Sequence, residues 1–211
     1  MSTKASIIFD MDGTLIDSSA AMTNSVNYVR HSLGLEPIGQ KYLEYHINQP
    51  DQHLPKIFYN TEAYDPDHRA LFKEHYMQNS PSMIALYPDV MAMLQLLSQK
   101  AHLAIATNAS DFFARHMLEK MGILDYFSAI VGANNVAEPK PSPLMVHHLM
   151  QLLESEPSKT ILVGDSIKDE GAAKNAGIAF IFAGWGYGTS ETAERRAGNI
   201  HELLALLNTF I

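Results

Sequence analysis

The sequence predicts an α/β fold in which helices flank a parallel sheet and an all-helical segment is inserted after the first strand. Three observations support this prediction. Five short apolar runs rich in β-branched residues have the length of buried strands, helical patterns separate the later runs, and residues 18–82 contain no convincing strand. Alternating strands and helices are typical of βαβ crossovers, which place their strands side by side in one parallel sheet.

The individual elements follow from these patterns in chain order. Strands are expected at residues 5–9, 102–106, 127–131, 160–163 and 179–183. Helices are expected at residues 89–100, 112–121, 144–154 and 169–175. Gly177 marks the end of the last helix, because glycine commonly follows the final turn of a helix.

The inserted segment has its own helical pattern. Met22, Val26, Val29 and Leu33 recur at helical spacing and are followed by Gly34. An insertion of this size is expected to form a small domain of its own. We therefore predict a core domain of residues 1–16 and 82–211 and a helical domain of residues 17–81.

Composition and charge exclude several classes of protein. The 211 residues are 46% hydrophobic and 18% charged, as in ordinary globular proteins, and the net charge of -8 argues against nucleic acid or an anionic membrane as partner. The absence of cysteine excludes disulfides and thiolate metal sites. No secretory signal and no run of roughly 18 apolar residues is present, so we expect a cytoplasmic protein. The oligomeric state is not predicted.

The strongest motif is FDMDGTLIDS, in which Asp10 and Asp12 directly follow the first predicted strand. Residues two apart in a strand point to the same side. Gly13 permits a turn that brings backbone N–H groups toward the end of the strand. Because ligands of open α/β sheets bind at the carboxyl ends of the strands, this pair is a candidate functional site.

Three further motifs have the same placement. Thr107 and Asn108 end the second predicted strand, Asp165 ends the fourth with Asp169 near the start of the next helix, and Lys140 lies in a proline-stiffened loop. Each has an ordinary structural explanation on its own, such as helix capping by Asp169. Their combination at the ends of several strands of one fold indicates a common site.

These residue types suit phosphoryl transfer. Converging carboxylates form a hard oxygen site that suits Mg²⁺, and a lysine, a hydroxyl group and backbone amides can orient and neutralise a phosphoryl group. One aspartate then remains to attack phosphorus and its neighbour to move a proton, as in enzymes that form aspartyl-phosphates.

With these motifs in this order, the sequence resembles the haloacid dehalogenase superfamily of phosphohydrolases, in the branch with a helical cap after the first motif. The resemblance extends from residue 5 to about residue 188. It implies a Rossmann-like parallel sheet with a mobile helical cap. It also implies that Asp10 is the nucleophile and a Mg²⁺ ligand, and that Asp12 is the general acid and base with its main-chain carbonyl on the metal. Gly13 would permit the turn beside them.

The resemblance assigns the remaining motifs as well. Thr107 and Asn108 would bind the phosphoryl group together with amides near Gly13, and Lys140 would balance the negative charge of the nucleophile and the phosphate. Asp165 would complete the metal ligands, and Asp169 would act through water or support Lys140. 

Two features bear on the substrate. The sequence GWGYG at residues 184–188 is similar to phosphoglycolate-phosphatase-like members, either as a packing turn or as a substrate contact. The cap differs from that subfamily, since a segment with Asn48 and Gln49 replaces a glycine-containing loop. The polar cap residues that we consider as substrate contacts are His46, Asn48, Gln49, His53 and Lys56.

The leading hypothesis is therefore a Mg²⁺-dependent phosphatase that acts on a small phosphorylated metabolite, such as a phosphoglycolate-like compound or a sugar phosphate. A phosphomutase of the β-phosphoglucomutase type would use the same motifs. A catalytically silent module that binds a protein partner is the alternative from a different class.

Overall fold

The strands and helices alternate along the chain as the sequence predicts. A computed structural model describes residues 4–211, so residues 1–3 of the predicted core domain lie outside the described part. The strands are β1 (Ser6–Phe9), β2 (Ile16–Asp17), β3 (Ala85–Leu86), β4 (His102–Thr107), β5 (Ala129–Gly132), β6 (Thr160–Gly164), β7 (Ala179–Ala183) and β8 (Arg196–Ala197). The α-helices are α1 (Ser19–Ser32), α2 (Gln40–Asn48), α3 (Leu54–Tyr59), α4 (Pro66–Asn79), α5 (Val90–Leu97), α6 (Asp111–Lys120), α7 (Leu144–Leu152), α8 (Ile167–Ala176) and α9 (Ile200–Asn208).

The main sheet is parallel, with strand order β5-β4-β1-β6-β7-β8. Strand β1 lies between β4 and β6, and Ile7 faces Leu103 on one side and Ile161 on the other. The five predicted strands and four predicted helices are all present, with ends that differ by no more than three residues. The α/β prediction is confirmed, and the carboxyl ends of β4, β1 and β6 lie side by side.

Helices cover both faces of this sheet. Successive strand residues point to opposite faces, so Ile7 and Ile8 of β1 enter two different cores. Ile7 packs in a core with Leu94 of α5 and Leu203 of α9, whereas Ile8 packs in a core with Leu149 of α7. Burial on both faces explains why the strands have continuous apolar sequences.

The inserted segment is helical, as predicted. Residues 18–82, all of which the structure describes, form α1 to α4 and a short 3-10 helix, Ser80–Ser82, and contain no strand. These helices have their own apolar core, which includes Val26, Leu43 and Phe58. The exact boundaries at residues 16/17 and 81/82 remain a prediction.

Two short strands that the sequence analysis did not predict join the two chain passages between the sheet and the helical segment. Strands β2 and β3 are antiparallel, with Ile16 opposite Leu86. This pair holds the beginning and the end of the insertion next to each other. None of the described helices is both long enough and apolar enough to span a membrane.

Candidate active site

The predicted site residues meet at one edge of the sheet. Asp10 follows β1, Thr107 ends β4, and Asp165 follows β6. Parallel pairing places these three strand ends side by side, and the loop after β5 brings Lys140 to the same place. The topology therefore assembles residues that lie up to 155 positions apart in the sequence.

Lys140 links two of the carboxylates. Its Nζ donates hydrogen bonds to Oδ1 of Asp10 at 2.7 Å, to Oδ1 of Asp169 at 2.5 Å and to the main-chain oxygen of Ala106 at 2.6 Å. The Lys140 side chain is 3% exposed, so water does not compete with these contacts. The three acceptors fix the ammonium group beside the candidate nucleophile.

Asp169 is held in this position by the start of α8. Ser166 is the N-cap residue, and its backbone N–H and hydroxyl group donate to Oδ2 of Asp169 at 3.1 and 2.5 Å. The other oxygen of Asp169 accepts from Lys140. Asp169 is thus the third residue of a capping box and a support for Lys140, not the helix N-cap itself.

Three carboxylates form a candidate metal site. Oxygens of Asp10, Asp165 and Asp169, all buried, lie within 4.8 Å of one another. Such a set of hard oxygen donors fits Mg²⁺. The Asp12 carboxylate is not a member of this cluster, so a contact from Asp12 to a metal would come from its main-chain oxygen. Asp169, which was expected to act through water or to support Lys140, has a carboxylate oxygen close to those of Asp10 and Asp165.

The Asp12 side chain instead contacts the start of the helical segment. The Ser18 hydroxyl donates a short hydrogen bond to Oδ1 of Asp12, and the Tyr187 hydroxyl lies 3.2 Å from Ser18 Oγ. Burial raises the pKa of the Asp12 carboxyl, and the Ser18 hydrogen bond opposes this increase. A carboxyl group with a raised pKa can hold a proton closer to neutral pH, which suits a general acid and base.

The crowded carboxylates also have shifted pKa values. Burial raises the pKa of Asp10 well above its usual range, with Lys140 opposing and Asp169 and Asp165 adding to the increase. Burial and the charge of Asp169 raise the pKa of Asp165 to about 7. For Lys140, burial disfavours the charge, but the Asp10 and Asp169 carboxylates outweigh it and raise its pKa. Lys140 therefore stays positively charged.

Thr107 and Asn108 lie at the site, although their hydrogen bonds were not foreseen. The Asn108 side chain donates to the Lys140 main-chain oxygen at 3.0 Å and accepts from the Lys140 N–H at 2.9 Å. Thr107 Oγ1 accepts from the Ala109 N–H at 3.1 Å. Asn108 thus holds the Lys140 loop in place, and its second amide hydrogen remains for an anion.

Gly13 has a geometric role. Its φ of +84° is in the left-handed region, and an added Cβ would lie 2.3 Å from Oδ2 of Asp165. Its backbone N–H, which was expected to face a phosphoryl group, donates to the Ile16 main-chain oxygen at 2.9 Å. The glycine therefore provides the tight turn, while its amide is already used within that turn.

The glycine-rich loop at residues 184–188 packs directly on this turn. Asp165 Oδ2 accepts hydrogen bonds from the backbone N–H groups of Tyr187 and Gly188 at 3.0 and 2.9 Å. A Cβ at Gly186 would lie 2.3 Å from the Gly13 main-chain oxygen. Trp185 Nε1 donates to the Thr14 main-chain oxygen at 3.0 Å. The loop therefore packs on the turn and orients one metal-ligand candidate, and its Tyr187 also lines the cavity at the site.

A cavity of about 690 Å³ extends from these residues into the helical segment. Of the five polar cap residues considered from the sequence, only Asn48 lines it. Lys56 instead pairs with Glu62 on the surface, and His46 contacts Gln52 through its Nδ1 atom.

The sequence analysis did not predict several contacts at this site. Ser18, whose hydroxyl group donates to Asp12, lies 3.2 Å through its Oγ atom from the hydroxyl group of Tyr187, 169 positions away. Lys168 donates from Nζ to the Ile47 main-chain oxygen at 2.6 Å, which joins α8 of the core to α2 of the insertion. Ser18 and Tyr187 belong to the motifs FDMDGTLIDS and GWGYG, and Lys168 lies beside Asp169. Their contacts could not be read from the sequence, because these contacts depend on the tertiary fold.

Comparison with known proteins agrees with this fold. The family of haloacid dehalogenase-like hydrolases matches residues 7–183, which is most of the chain. The protein therefore belongs to the haloacid dehalogenase-like hydrolases, and the family predicted from its motifs is confirmed.

Individual relatives extend this assignment. A phosphoglycolate phosphatase of Chromobacterium violaceum is 33% identical over 211 residues, covering 95% of each chain. A phosphoglycolate phosphatase of Aquifex aeolicus is 31% identical, covering 86% of this chain and 85% of the relative. A solved haloacid dehalogenase-like hydrolase of Streptococcus pneumoniae superposes with a TM-score of 0.83 at 24% identity, covering 98% of this chain and all of the other, which shows the shared fold.

Proposed function

We propose that this protein is a Mg²⁺-dependent phosphatase that hydrolyses a small phosphomonoester through an aspartyl-phosphate on Asp10. One observation carries the proposal: the Asp10 carboxylate lies at the end of the cavity, paired with buried Lys140 and close to two further carboxylates. The relatives named phosphoglycolate phosphatase support a phosphomonoester as substrate.

In the first step, an Asp10 carboxylate oxygen attacks phosphorus and the bond from phosphorus to the alcohol oxygen breaks. Asp12 gives a proton to the departing oxygen, and its raised pKa favours the protonated state that this requires. Lys140 offsets the negative charge that Asp10 and the phosphoryl group bring together. Thr107 and the free amide hydrogen of Asn108 orient the phosphoryl oxygens.

In the second step, water attacks the phosphorus of the aspartyl-phosphate, and the bond from phosphorus to Asp10 breaks. Asp12 now accepts the proton of this water, because it lost its own proton in the first step. Phosphate leaves, and Asp10 regains its free carboxylate.

Asp10 and Asp165, together with the main-chain oxygen of Asp12, would hold the Mg²⁺ ion, with Asp169 behind them. The bound cation would supply charge stabilisation to the phosphoryl oxygens. Residues 17–81 would act as a cap that shields the site from bulk water, since the cavity has walls from both the insertion and the sheet.

The test is release of inorganic phosphate from phosphoglycolate, sugar phosphates and nucleotides, with and without Mg²⁺. Asp10→Asn should abolish release while the variant keeps its fold, since an amide is not a competent nucleophile. Asp125→Asn, at an exposed position away from the site, is the matched control and should retain full activity. Near-normal turnover of Asp10→Asn would overturn the mechanism.

The same assay separates the alternatives. Rapid isomerisation of a sugar phosphate with little phosphate release would indicate a phosphomutase. Mg²⁺ binding without turnover of any phosphomonoester would indicate a silent binding module.

A further inference from the structure

The cavity is lined both by the candidate catalytic groups of the sheet domain and by apolar side chains of the helical segment. Asp10, Asp12 and Lys140 line one end, beside the reacting phosphoryl group of the proposed phosphatase. The other buried lining residues are mostly apolar or aromatic, with Thr107 and Ser166 as the polar exceptions; they are Met11, Val26, Leu43, Phe58, Tyr59, Tyr76 and Met117. The remaining polar lining residues are partly buried, as in Gln52 and His68, or exposed, as in Asp51 and Arg69.

Part of the apolar wall of the cavity is formed by residues from the apolar core of the helical segment. Val26, Leu43 and Phe58 form that core and are 5%, 1% and 4% exposed, yet they also face the cavity. Partly buried Met22 and Leu54 pack against the same core and extend the wall. Side chains of the core of the insertion, with Met22 and Leu54 beside them, thus form part of the wall of the cavity that also holds Asp10 and Asp12.

Such a wall does not suit a strongly hydrated leaving group. A sugar or glycolate placed against Val26, Leu43 and Phe58 would lose hydrogen bonds to water without gaining partners from these side chains. Among the cations that line the cavity, Lys140 pairs with two carboxylates, Lys168 donates to the Ile47 main-chain oxygen, and Arg69 is exposed. A carboxylate on the leaving group would find no buried cation of its own among them.

The volume also exceeds the needs of a two-carbon alcohol. Cavities of about 300–1,000 Å³ commonly hold drug-sized ligands and are mostly apolar with a few placed polar groups. The cavity of about 690 Å³ lies within that range.

We propose that the physiological substrate is a phosphate monoester whose alcohol carries an extended apolar or aromatic body, seated against Val26, Leu43, Leu54 and Phe58. The phosphoryl group then lies at Asp10 and the body lies in the helical segment. This inference rests on the proposed phosphatase function and specifies the substrate class of that site.

The test is steady-state kinetics with Mg²⁺ on ethyl, butyl and hexyl phosphate, with phenyl phosphate, phosphoglycolate and glucose 6-phosphate in parallel. Burial of each methylene group should raise kcat/KM about fourfold along the alkyl series. Hexyl and phenyl phosphate should exceed phosphoglycolate and glucose 6-phosphate by about tenfold or more. A flat alkyl series, or preference for phosphoglycolate or glucose 6-phosphate, would overturn the substrate class and leave the phosphatase function standing.

A matched pair of variants locates the effect. Leu54→Ala should lower kcat/KM for hexyl phosphate about tenfold and change that for ethyl phosphate less than twofold. Leu33→Ala is the control, because Leu33 is also partly buried against the helical core but does not line the cavity. Equal losses in both variants would contradict the proposed seat of the apolar body. Absence of phosphate release from every ester would instead contradict the phosphatase function, and this inference with it.

Discussion

Replacement of Lys140 by methionine directly tests how far its positive charge stabilises the buried carboxylates of the site. The substitution keeps a long side chain and removes the ammonium group that contacts Asp10, Asp169 and the Ala106 main-chain oxygen. Two buried carboxylates then face each other without a cation. Breaking a buried ion pair by removing one partner costs about 3–5 kcal/mol, because the remaining charge stays desolvated.

The upper limit of this cost follows from proton uptake. The variant can neutralise one carboxyl group, whose ordinary pKa is about 3.9, at about 1.36 kcal/mol per pH unit. Protonation of this carboxyl group therefore costs about 5 kcal/mol at pH 7.5 and about 2 kcal/mol at pH 5.5. Lys140→Met should therefore lose about 3–5 kcal/mol of the free energy of unfolding at pH 7.5 and clearly less at pH 5.5.

The assay is urea denaturation in EDTA at both pH values, which removes any contribution from a bound cation. Lys100→Met, at an exposed lysine, is the control and should change the free energy of unfolding by less than about 0.5 kcal/mol. Adding Asp169→Asn to Lys140→Met should recover part of the loss, since one of the two unpaired charges is then gone. A loss below about 1 kcal/mol at pH 7.5 would refute the reasoning.

Three further predictions concern neighbouring parts of the site. The pKa of Asp165 is raised to about 7 in the folded protein. The folded state therefore keeps the Asp165 carboxyl group protonated at pH values where the unfolded chain has lost that proton. The contribution of Asp165 to the free energy of unfolding consequently falls as the pH rises from about 4 to 7. Thermal denaturation in EDTA should give a lower Tm at pH 8 than at pH 5.5, with a smaller difference in Asp165→Asn; an equal difference in both proteins would contradict this assignment. Gly186→Ala should lower the free energy of unfolding by more than about 2 kcal/mol, because the new Cβ would clash with the backbone. The control, Gly39→Ala, should change it little, because no atom lies within 4 Å of the new Cβ. Denaturant titration measures both values. Ser18→Ala removes a hydrogen bond that lowers the pKa of Asp12, so the pH profile of kcat/KM should move upward, and an unmoved profile would count against Asp12 as the acid and base.

Much of the site was predictable because it depends on strand ends. Asp10, Thr107 and Asp165 each follow an apolar run, and parallel pairing alone brings such positions together. The contacts among them were less accessible. Nothing in the spacing of Asn108 and Lys140 indicates that one side chain pairs with the other's backbone, because loop conformation decides this contact.

The elements that the sequence analysis did not predict differ in the sequence signal that they carry. Strands β2, β3 and β8 contain two residues each, too few to show any periodicity. Helix α9 does have apolar residues at helical spacing, including Ile200, Leu203 and Leu207, so its signal was present. The cap residues were harder to assign, since whether a polar side chain faces the cavity or solvent depends on how the four helices pack.

The start of α1 has a thermodynamic consequence of its own. Ser18 is the N-cap residue of α1, yet its hydroxyl oxygen accepts no capping hydrogen bond from the first turn, and its hydroxyl group donates to Asp12. The helix thereby forgoes stabilisation of about 1 kcal/mol that a serine at this position usually provides. Ser110, in contrast, accepts from the Phe113 N–H and caps α6 in the usual way. The Ser18 hydroxyl group thus contacts the candidate general acid and base and does not cap the helix. Its loss should therefore affect the rate of the reaction more than the thermal stability of α1.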